Sequence, residues 1–362
     1  MENLLDLAIA IQQIPAPTFD EKKRGEFVRQ LFVKERLDEI SVDGAGNIYG
    51  KYPGKGMGAP LVICAHLDTV FPAQTDLRIT RDPNRITGPG IGDNSLAVAA
   101  MPILIQMLRE KNIQPLGDIW LVATTGEEGL GNLRGMRAVV DRFEDSPVVY
   151  LALEGMALGY IYHRALGVRR YRISASTEGG HSWGNYGRPS AIHELTALIN
   201  KITALELPTD PRTTLNIGSI SGGISVNTIA AEASCELDLR SESAKVLAEL
   251  VREALALIAS AGKPGVKVVA EEIGSRPAGE IPTSHPLVKL AEQSLIKEGI
   301  EPILVISSTD ANIPLGRGYP ALCLGISTGG GAHTLQEYID TAPVAQGMAQ
   351  LLYFVENLWG NG

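Results

Sequence analysis

Apolar and polar positions follow two patterns along this chain. Leu61–Ala65, Ile119–Thr124 and Val148–Leu153 are short, nearly unbroken apolar runs, as strands buried on both faces require. Between them the spacing turns helical, over 95–111 and again over 133–143. Strand, helix, strand, helix, strand predicts a sheet with helices on its faces. Upstream, Leu4, Leu5, Leu7, Ala8 and Ile11 mark a helix over 3–13 that PAPTFDE breaks. A second amphipathic helix is expected over 20–37 through Phe27, Val28, Leu31 and Phe32, with Thr18 as its candidate cap. Strands at Ile40–Val42 and Asn47–Tyr52 flank the turn DGAG, and Pro102 is expected to kink the 95–111 helix or mark its first turns.

From Leu166 the pattern changes. Val168–Ala175 alternates basic with apolar residues, as a half-exposed strand does. A helix over 190–205, strands at 214–219 and 230–239, a helix over 243–260 and a strand at 266–272 complete the order β-α-β-β-α-β. That order is the split βαβ pattern of an α+β, ferredoxin-like sandwich. After Pro277 the pattern of buried strands and helices returns, with a helix over 285–298, buried strands at 303–306 and 321–324, and a closing helix over 341–358. The expected fold class is α/β, a mixed sheet flanked by helices over 1–165 and 277–362. Into it is inserted the α+β domain, 166–276.

Composition narrows the setting. At 362 residues, 44% hydrophobic and 20% charged, the chain reads as globular with two domains' worth of core. A net charge of −9 with no basic block argues against nucleic acid and anionic membrane as partners. Apolar runs are interrupted well short of a membrane span, and acids stand where a signal peptide needs Lys or Arg. Cys64, Cys235 and Cys323 each lie inside an apolar run without CxxC spacing, which suits free thiols in a reducing compartment; a cytoplasmic location is expected.

Candidate chemistry collects where strands end. His66 and Asp68 leave the first buried strand two residues apart, Asp93 lies in the Gly-rich turn GPGIGDNS, and Glu127 and Glu128 follow the second strand. Glu154 ends the third, and His333 follows the glycine run STGGGAH. In open α/β sheets ligands gather beyond the carboxyl ends of strands. Singly, each residue has a plainer reading: a buried histidine bonded to an aspartate, a helix cap at Asp93, solvated loop acids. Together, two imidazoles and three or four carboxylates suit a Zn²⁺-like ion and exceed what one tetrahedral site needs. A carboxylate bridging two ions would use the surplus, and one of the adjacent glutamates is free to act as a base while its neighbour binds metal. A dinucleotide reading of GPGIGDN fails on its missing third glycine.

The segments IPAPTFDE, DGAGNIYG, AHLDTV, GIGDN, TTGEEGLG, ALEG, GGHSWG, SGGISVNTI, DLR, SSTDA and GAHTLQEYI occur in this order along nearly the whole chain. In this the chain resembles the cocatalytic zinc peptidases and amidohydrolases that include peptidase T, carboxypeptidase G, acetylornithine deacetylase and succinyl-diaminopimelate desuccinylase. The resemblance implies two Zn²⁺ ions, with Co²⁺ or Mn²⁺ as substitutes. His66, Asp93 and Glu154 would hold one, and Asp93, Glu128 and His333 the other. Asp68 would orient His66, and Glu127 would be the catalytic base.

The insertion corresponds to the family's lid domain, which usually carries the interface of a homodimer. His181 matches the lid histidine that reaches a partner's active site to stabilise the oxyanion. Asn227 matches an asparagine near the substrate, and Arg240 an arginine that holds a substrate carboxylate. Two departures stand out: Ser95 replaces an acid or Lys, and Trp183 and Tyr186 stand where relatives carry small residues and Pro, either lining a pocket or packing at the interface. Of the other histidines, His193 is read as a surface or interface residue, His285 as a helix cap and His163 as a hinge or core residue.

The expected activity is hydrolysis of the amide bond of a small peptide or N-acyl amino acid. Glu154, which is Glu in carboxypeptidases and deacylases of the family and Asp in its aminopeptidases, together with Arg240, favours substrates bearing a free carboxyl group. A peptidase T-like aminopeptidase is the alternative. A catalytically inactive metal-binding protein is the remote one, disfavoured by the retained Glu127 and the complete ligand set.

Overall fold

The computed structural model describes residues 2–360. The chain divides into two compact units, Met1–Ala165 with Glu280–Gly362, and Leu166–Gly279.

The first unit is built on a mixed sheet. Its main strands are β1 (Asp38–Val42), β2 (Ile48–Tyr52), β3 (Leu61–His66), β4 (Ile119–Thr124), β5 (Val149–Glu154), β6 (Tyr160–Ala165), β7 (Ile303–Ser307) and β8 (Ala321–Gly325). They lie in the order β1-β2-β4-β3-β5-β8-β6, with β7 also paired to β6. The central four, β4, β3, β5 and β8, run parallel. Buried on both faces, they need the continuous apolar runs seen in the sequence, and all residues of β3, β4 and β8 are buried. Flanking helices span Glu2–Gln12, Lys22–Lys34, Leu96–Glu110, Arg134–Phe143, Pro286–Lys297 and Val344–Asn357. One stretch, Ile91–Glu110, is long and apolar enough to cross a membrane, but it lies inside this core.

Several local expectations change. Thr18 does not cap the second helix, which starts at Lys22 without a side-chain cap; its hydroxyl donates to Asp68 Oδ2 at 2.9 Å. Pro102 lies inside the single helix Leu96–Glu110 rather than at its start. His285 does cap its helix, its Nδ1 accepting from Leu287 N at 3.2 Å. His163 is buried in β6 against the Ile281 carbonyl at 2.8 Å. The segment after residue 70, which reads as irregular, contributes two strands to a small antiparallel sheet ordered Gly329–Gly330, Tyr338–Asp340, Arg85–Thr87, Thr80–Arg81. Strands this short carry no legible periodicity, yet this sheet sets the hairpin holding His333 beside the strand that leads to Asp93.

The second unit is a four-stranded antiparallel sheet with the helices Ala191–Thr203 and Ala244–Ser260. Its strands in chain order are Gly167–Thr177, Thr213–Gly222, Glu232–Ser241 and Val266–Arg276. In space the second strand lies beside the third, then the first, then the fourth. Tyr171, Ile173, Cys235, Leu237 and Leu239 pack with Leu195, Leu198, Leu250 and Ile258 as its core.

Close backbone approaches replace side chains where the loops carrying Asp93 and Glu154 meet. A Cβ on Gly155 would lie 2.0 Å from the Gly92 carbonyl oxygen, whereas one on Gly44 would meet nothing within 4 Å. Gly155→Ala is therefore expected to cost about 1–3 kcal/mol by overpacking, with Gly44→Ala near neutral, as read by urea unfolding.

Candidate metal centre

The central parallel strands deliver their carboxyl ends to one place. His66 is the last residue of β3, Glu154 the last of β5, and Glu127 and Glu128 follow β4 after Thr125-Gly126. Asp93 comes from the turn Ile91–Ser95 ahead of the Leu96–Glu110 helix, with non-helical backbone angles of −111° and 86°. His66 Nε2 lies 3.0 Å from Asp93 Oδ1 and 4.0 Å from Glu154 Oε2. His333 Nε2 lies 3.2 Å from Asp93 Oδ2 and 3.2 Å from Glu128 Oε1. Each imidazole thus faces a different oxygen of the same aspartate. One donor atom each from His66, Asp93 and Glu128 falls within 4.8 Å of the others, close enough to share an ion. Imidazole nitrogens and carboxylate oxygens in this number suit Zn²⁺ and its neighbours.

Asp68 does more than the sequence suggests. The His66 Nδ1–H donates to the Asp68 backbone carbonyl at 3.0 Å, while the Asp68 carboxylate stands 3.8 Å away. That carboxylate instead accepts the backbone N–H of Glu127 at 3.0 Å and of Glu128 at 2.9 Å, fixing the turn that presents both glutamates. Both glutamates are buried, and the charge of Glu127 acts on His66 and Glu154.

Further residues carry no assignment from sequence, although several sit in the motifs that mark the family. Glu21 accepts the N–H of Gly126 at 3.1 Å and of Phe19 at 3.0 Å, and pairs with Arg134 at 2.9 Å. The fully buried Arg24 donates to the Leu67 carbonyl at 2.8 Å and twice to Ile14 O, gripping the chain between His66 and Asp68. Asn94 donates to Leu153 O at 2.8 Å and accepts from Gly155 N at 3.0 Å, clasping the backbone on either side of Glu154. Glu337 accepts backbone N–H groups from Gly90, Gly92 and Asp93. Asp310, also buried, accepts from Thr124 Oγ1 at 2.6 Å at the end of β4. For Glu21, Asn94, Asp310 and Glu337 the signal in sequence is position inside motifs, but their main partners lie 59 to 245 residues away.

The second unit places His181 and Asn227 side by side. Gly180–His181 pairs with Thr228–Ile229, and Ser182 N donates to Asn227 O at 3.0 Å. His181 is exposed, its Nδ1 accepting from Trp183 N and Gly184 N. Trp183 and Tyr186 are 88% and 91% exposed and lie outside the hydrophobic core of this unit, with Tyr186 lining a surface cavity beside Ile192 and His193. Arg240 directs its guanidinium to Asp238, with Nε 2.6 Å from Oδ1, and Arg170 shares that carboxylate at 2.9 Å.

The electrostatics of the centre are those of acids crowded around few cations. Burial pulls the His66 pKa down, but the hydrogen bond and charge of Asp93, with Glu154 and Glu127 behind it, overcome this and hold it well above the ordinary histidine value. Hydrogen bonds to Asp93 and Glu128 raise His333 to about 10. Burial opposes ionisation of Asp93, yet the two imidazoles draw it below the usual carboxylate range. Burial raises Glu154 well above that range.

A mixed α/β sheet with imidazoles and carboxylates converging beyond its parallel strands is the build of a metallopeptidase or amidohydrolase. Comparison with known proteins agrees. Residues 62–357 match the model of peptidase family M20/M25/M40, and the chain belongs to that family. An acetylornithine deacetylase of Klebsiella pneumoniae is 29% identical over 310 residues, covering 80% of this chain and 77% of that protein. A probable carboxypeptidase of Aspergillus flavus is 26% identical over 348 residues, covering 85% and 78%. Among solved structures, a tripeptidase from Staphylococcus aureus superposes with a TM-score of 0.83 at 23% identity, covering 98% of this chain and 97% of that one.

Binding a cation requires neutral imidazoles, whereas both are raised here and carry protons near neutrality. Glu154 is raised as well, so loading with Zn²⁺ at neutral pH is expected to displace protons from His66, His333 and Glu154. The proton competition fades as pH rises toward about 10 for His333, so affinity climbs with pH. Calorimetry in buffers of different ionisation enthalpy measures the release, and a heat independent of buffer would refute it.

Proposed function

We propose that this chain is a dinuclear metal-dependent hydrolase of amide bonds in N-acyl amino acids or small peptides, cutting beside a free carboxyl group. The observation that carries the reading is Asp93 placed between two imidazoles, His66 on one oxygen and His333 on the other. His66, Asp93 and Glu154 would hold one ion, and Asp93, Glu128 and His333 the second. Zn²⁺ is the favoured metal, with Co²⁺ or Mn²⁺ as substitutes. When bound, the ions would make water more acidic and polarise the scissile carbonyl.

The protein's own contribution is positioning and proton transfer. Glu127, on the turn fixed by Asp68, takes a proton from water and returns it to the departing nitrogen. Asp68 keeps Nε2 of His66 directed at the centre through its backbone carbonyl. His181 supplied by a second copy of the chain stabilises the oxyanion, with Asn227 beside it and Arg240 binding the substrate carboxylate.

Arg240 also favours a second reading. Its guanidinium is already paired with Asp238, so a substrate carboxylate has to compete for it. If it does not win, the preference for a free carboxyl group falls away and an aminopeptidase becomes the better description. Hydrolysis of an N-acylated dipeptide with a free carboxyl, set against a free-amine dipeptide amide on Zn²⁺-loaded protein, decides between them. Cleavage of the first alone is expected, and cleavage of the second alone would overturn it. Glu127→Ala is expected to keep its metal and lose about 100-fold or more in kcat; undiminished turnover would remove Glu127 as the base.

A homodimer through the inserted domain fits the outer edge of Thr213–Gly222, which has no strand partner among the described residues. Ile220, Ile224 and Val226 are exposed along and just beyond that edge, as a surface awaiting a second copy would be. Light scattering is expected to give twice the chain mass, and a fully active monomer would exclude His181 from the mechanism. Three buried free thiols suit a cytoplasmic setting.

A further inference from the structure

Glu337 sits four residues beyond His333 and is fully buried. Its Oε1 accepts the N–H of Gly92 at 2.7 Å and of Asp93 at 2.8 Å, and its Oε2 that of Gly90 at 3.1 Å. One carboxylate thus gathers three backbone amides of the loop that presents Asp93. The backbone adds to the link: Gly88 N donates to the Glu337 carbonyl at 2.8 Å, and Tyr338 pairs with Thr87 across the small sheet. The hairpin that carries His333 and the loop that carries Asp93 are therefore joined through Glu337, 244 residues apart in the chain.

We propose that Glu337 is a positioning residue that holds the Asp93 loop in its ligand-presenting form before any cation arrives, and so sets cation affinity. The inference rests on the two-ion reading above. Other bonds anchor the loop at Pro89, Gly90 and Asn94, but the N–H groups of Gly90, Gly92 and Asp93 are taken by Glu337. Gly90 has a φ of 74°, and Asp93 and Asn94 depart from helical angles, so the helix that follows does not impose their conformation. Buried N–H groups need partners, and the carboxylate supplies three at once. It touches neither substrate nor the reacting atoms; its effect passes through Asp93.

Three proteins test this: the wild-type full chain, Glu337→Gln, which keeps the shape but turns an amide group toward N–H donors, and Glu337→Asp, which keeps the charge. Zn²⁺ titration by calorimetry on protein stripped of metal is expected to show Glu337→Gln weakened about 10–100-fold, as for other residues that orient ligands. Glu337→Asp should fall between it and wild type. kcat should drop with KM little changed. A purely structural role would lower the melting temperature while leaving the folded fraction with wild-type affinity, and that result overturns the proposal.

A second arm uses wild-type protein alone, in case the variants fold poorly. Hydrogen exchange at Gly92 and Asp93 is expected to be slow in metal-free protein and to change little on adding Zn²⁺. Protection that appears only with Zn²⁺ would mean that the metal, not Glu337, orders the loop. Wild-type protein that binds no Zn²⁺ would instead sink the two-ion reading, while slow or fast exchange would still decide whether Glu337 orders the loop.

Discussion

The centre depends on hydrogen bonds from backbone N–H groups to buried carboxylates. Asp68, Asp93, Glu127, Glu128, Glu154 and Glu337 converge in a small volume, and like charges so close repel strongly where the dielectric is low. Two of these acids, with Glu21 nearby, are spent on backbone. Asp68 takes two consecutive amides and the Thr18 hydroxyl, Glu337 takes three amides, and Glu21 takes two amides and the Arg134 guanidinium. Hydrogen bonds to charged groups are worth about 1.5–3 kcal/mol each. These supporting acids therefore stabilise the loops that display the others.

The loops also lock one another. Asp68, on the His66 segment, fixes the turn of Glu127 and Glu128. Glu337, on the His333 hairpin, fixes the loop of Asp93, and Asn94 of that loop clasps the chain around Glu154. None of these segments is held by local structure alone. Parallel strands make this practical, because β3, β4, β5 and β8 end at the same side of the sheet and their exits are one strand spacing apart. The tight glycine contacts fit the same picture: Gly155 lies against Gly92 because the Glu154 and Asp93 segments have no room for a side chain between them.

The same locking decides what is legible in sequence. The buried strands announce themselves, since burial on both faces demands unbroken apolar runs, and in the insertion the alternating and helical spacings predict the order β-α-β-β-α-β that the structure follows. His66, Asp93, Glu128, Glu154 and His333 stand out because imidazoles and acids at strand ends are chemically conspicuous. Thr18, Glu21, Asn94 and Glu337 do not. A cap, a loop acid and a buttress look alike until the partner is known, and Thr18, which reads as a cap, bonds a residue 50 positions away. Asp68 is legible only in part for the same reason: its backbone serves His66 while its side chain serves the opposite loop.

The cations of the centre divide by how firmly they keep their protons. Burial lowers Arg24 to about 10, yet Asp68 and Glu337 hold it there, so the guanidinium stays charged at neutral pH. It is fully buried and donates to Leu67 O and Ile14 O, which makes it a fixed part of the scaffold. The protons on His66 and His333 are different in kind. They are held by the same carboxylate oxygens that would coordinate a metal, and an imidazole gives up its proton where a guanidinium does not. The metal-free centre thus balances its acids with one cation that cannot leave and others that can be exchanged for metal. Removing Arg24's charge would disturb the backbone around His66, whereas removing the imidazolium protons prepares the ligands. That difference would let so acidic a centre balance its charge without metal and still take one up.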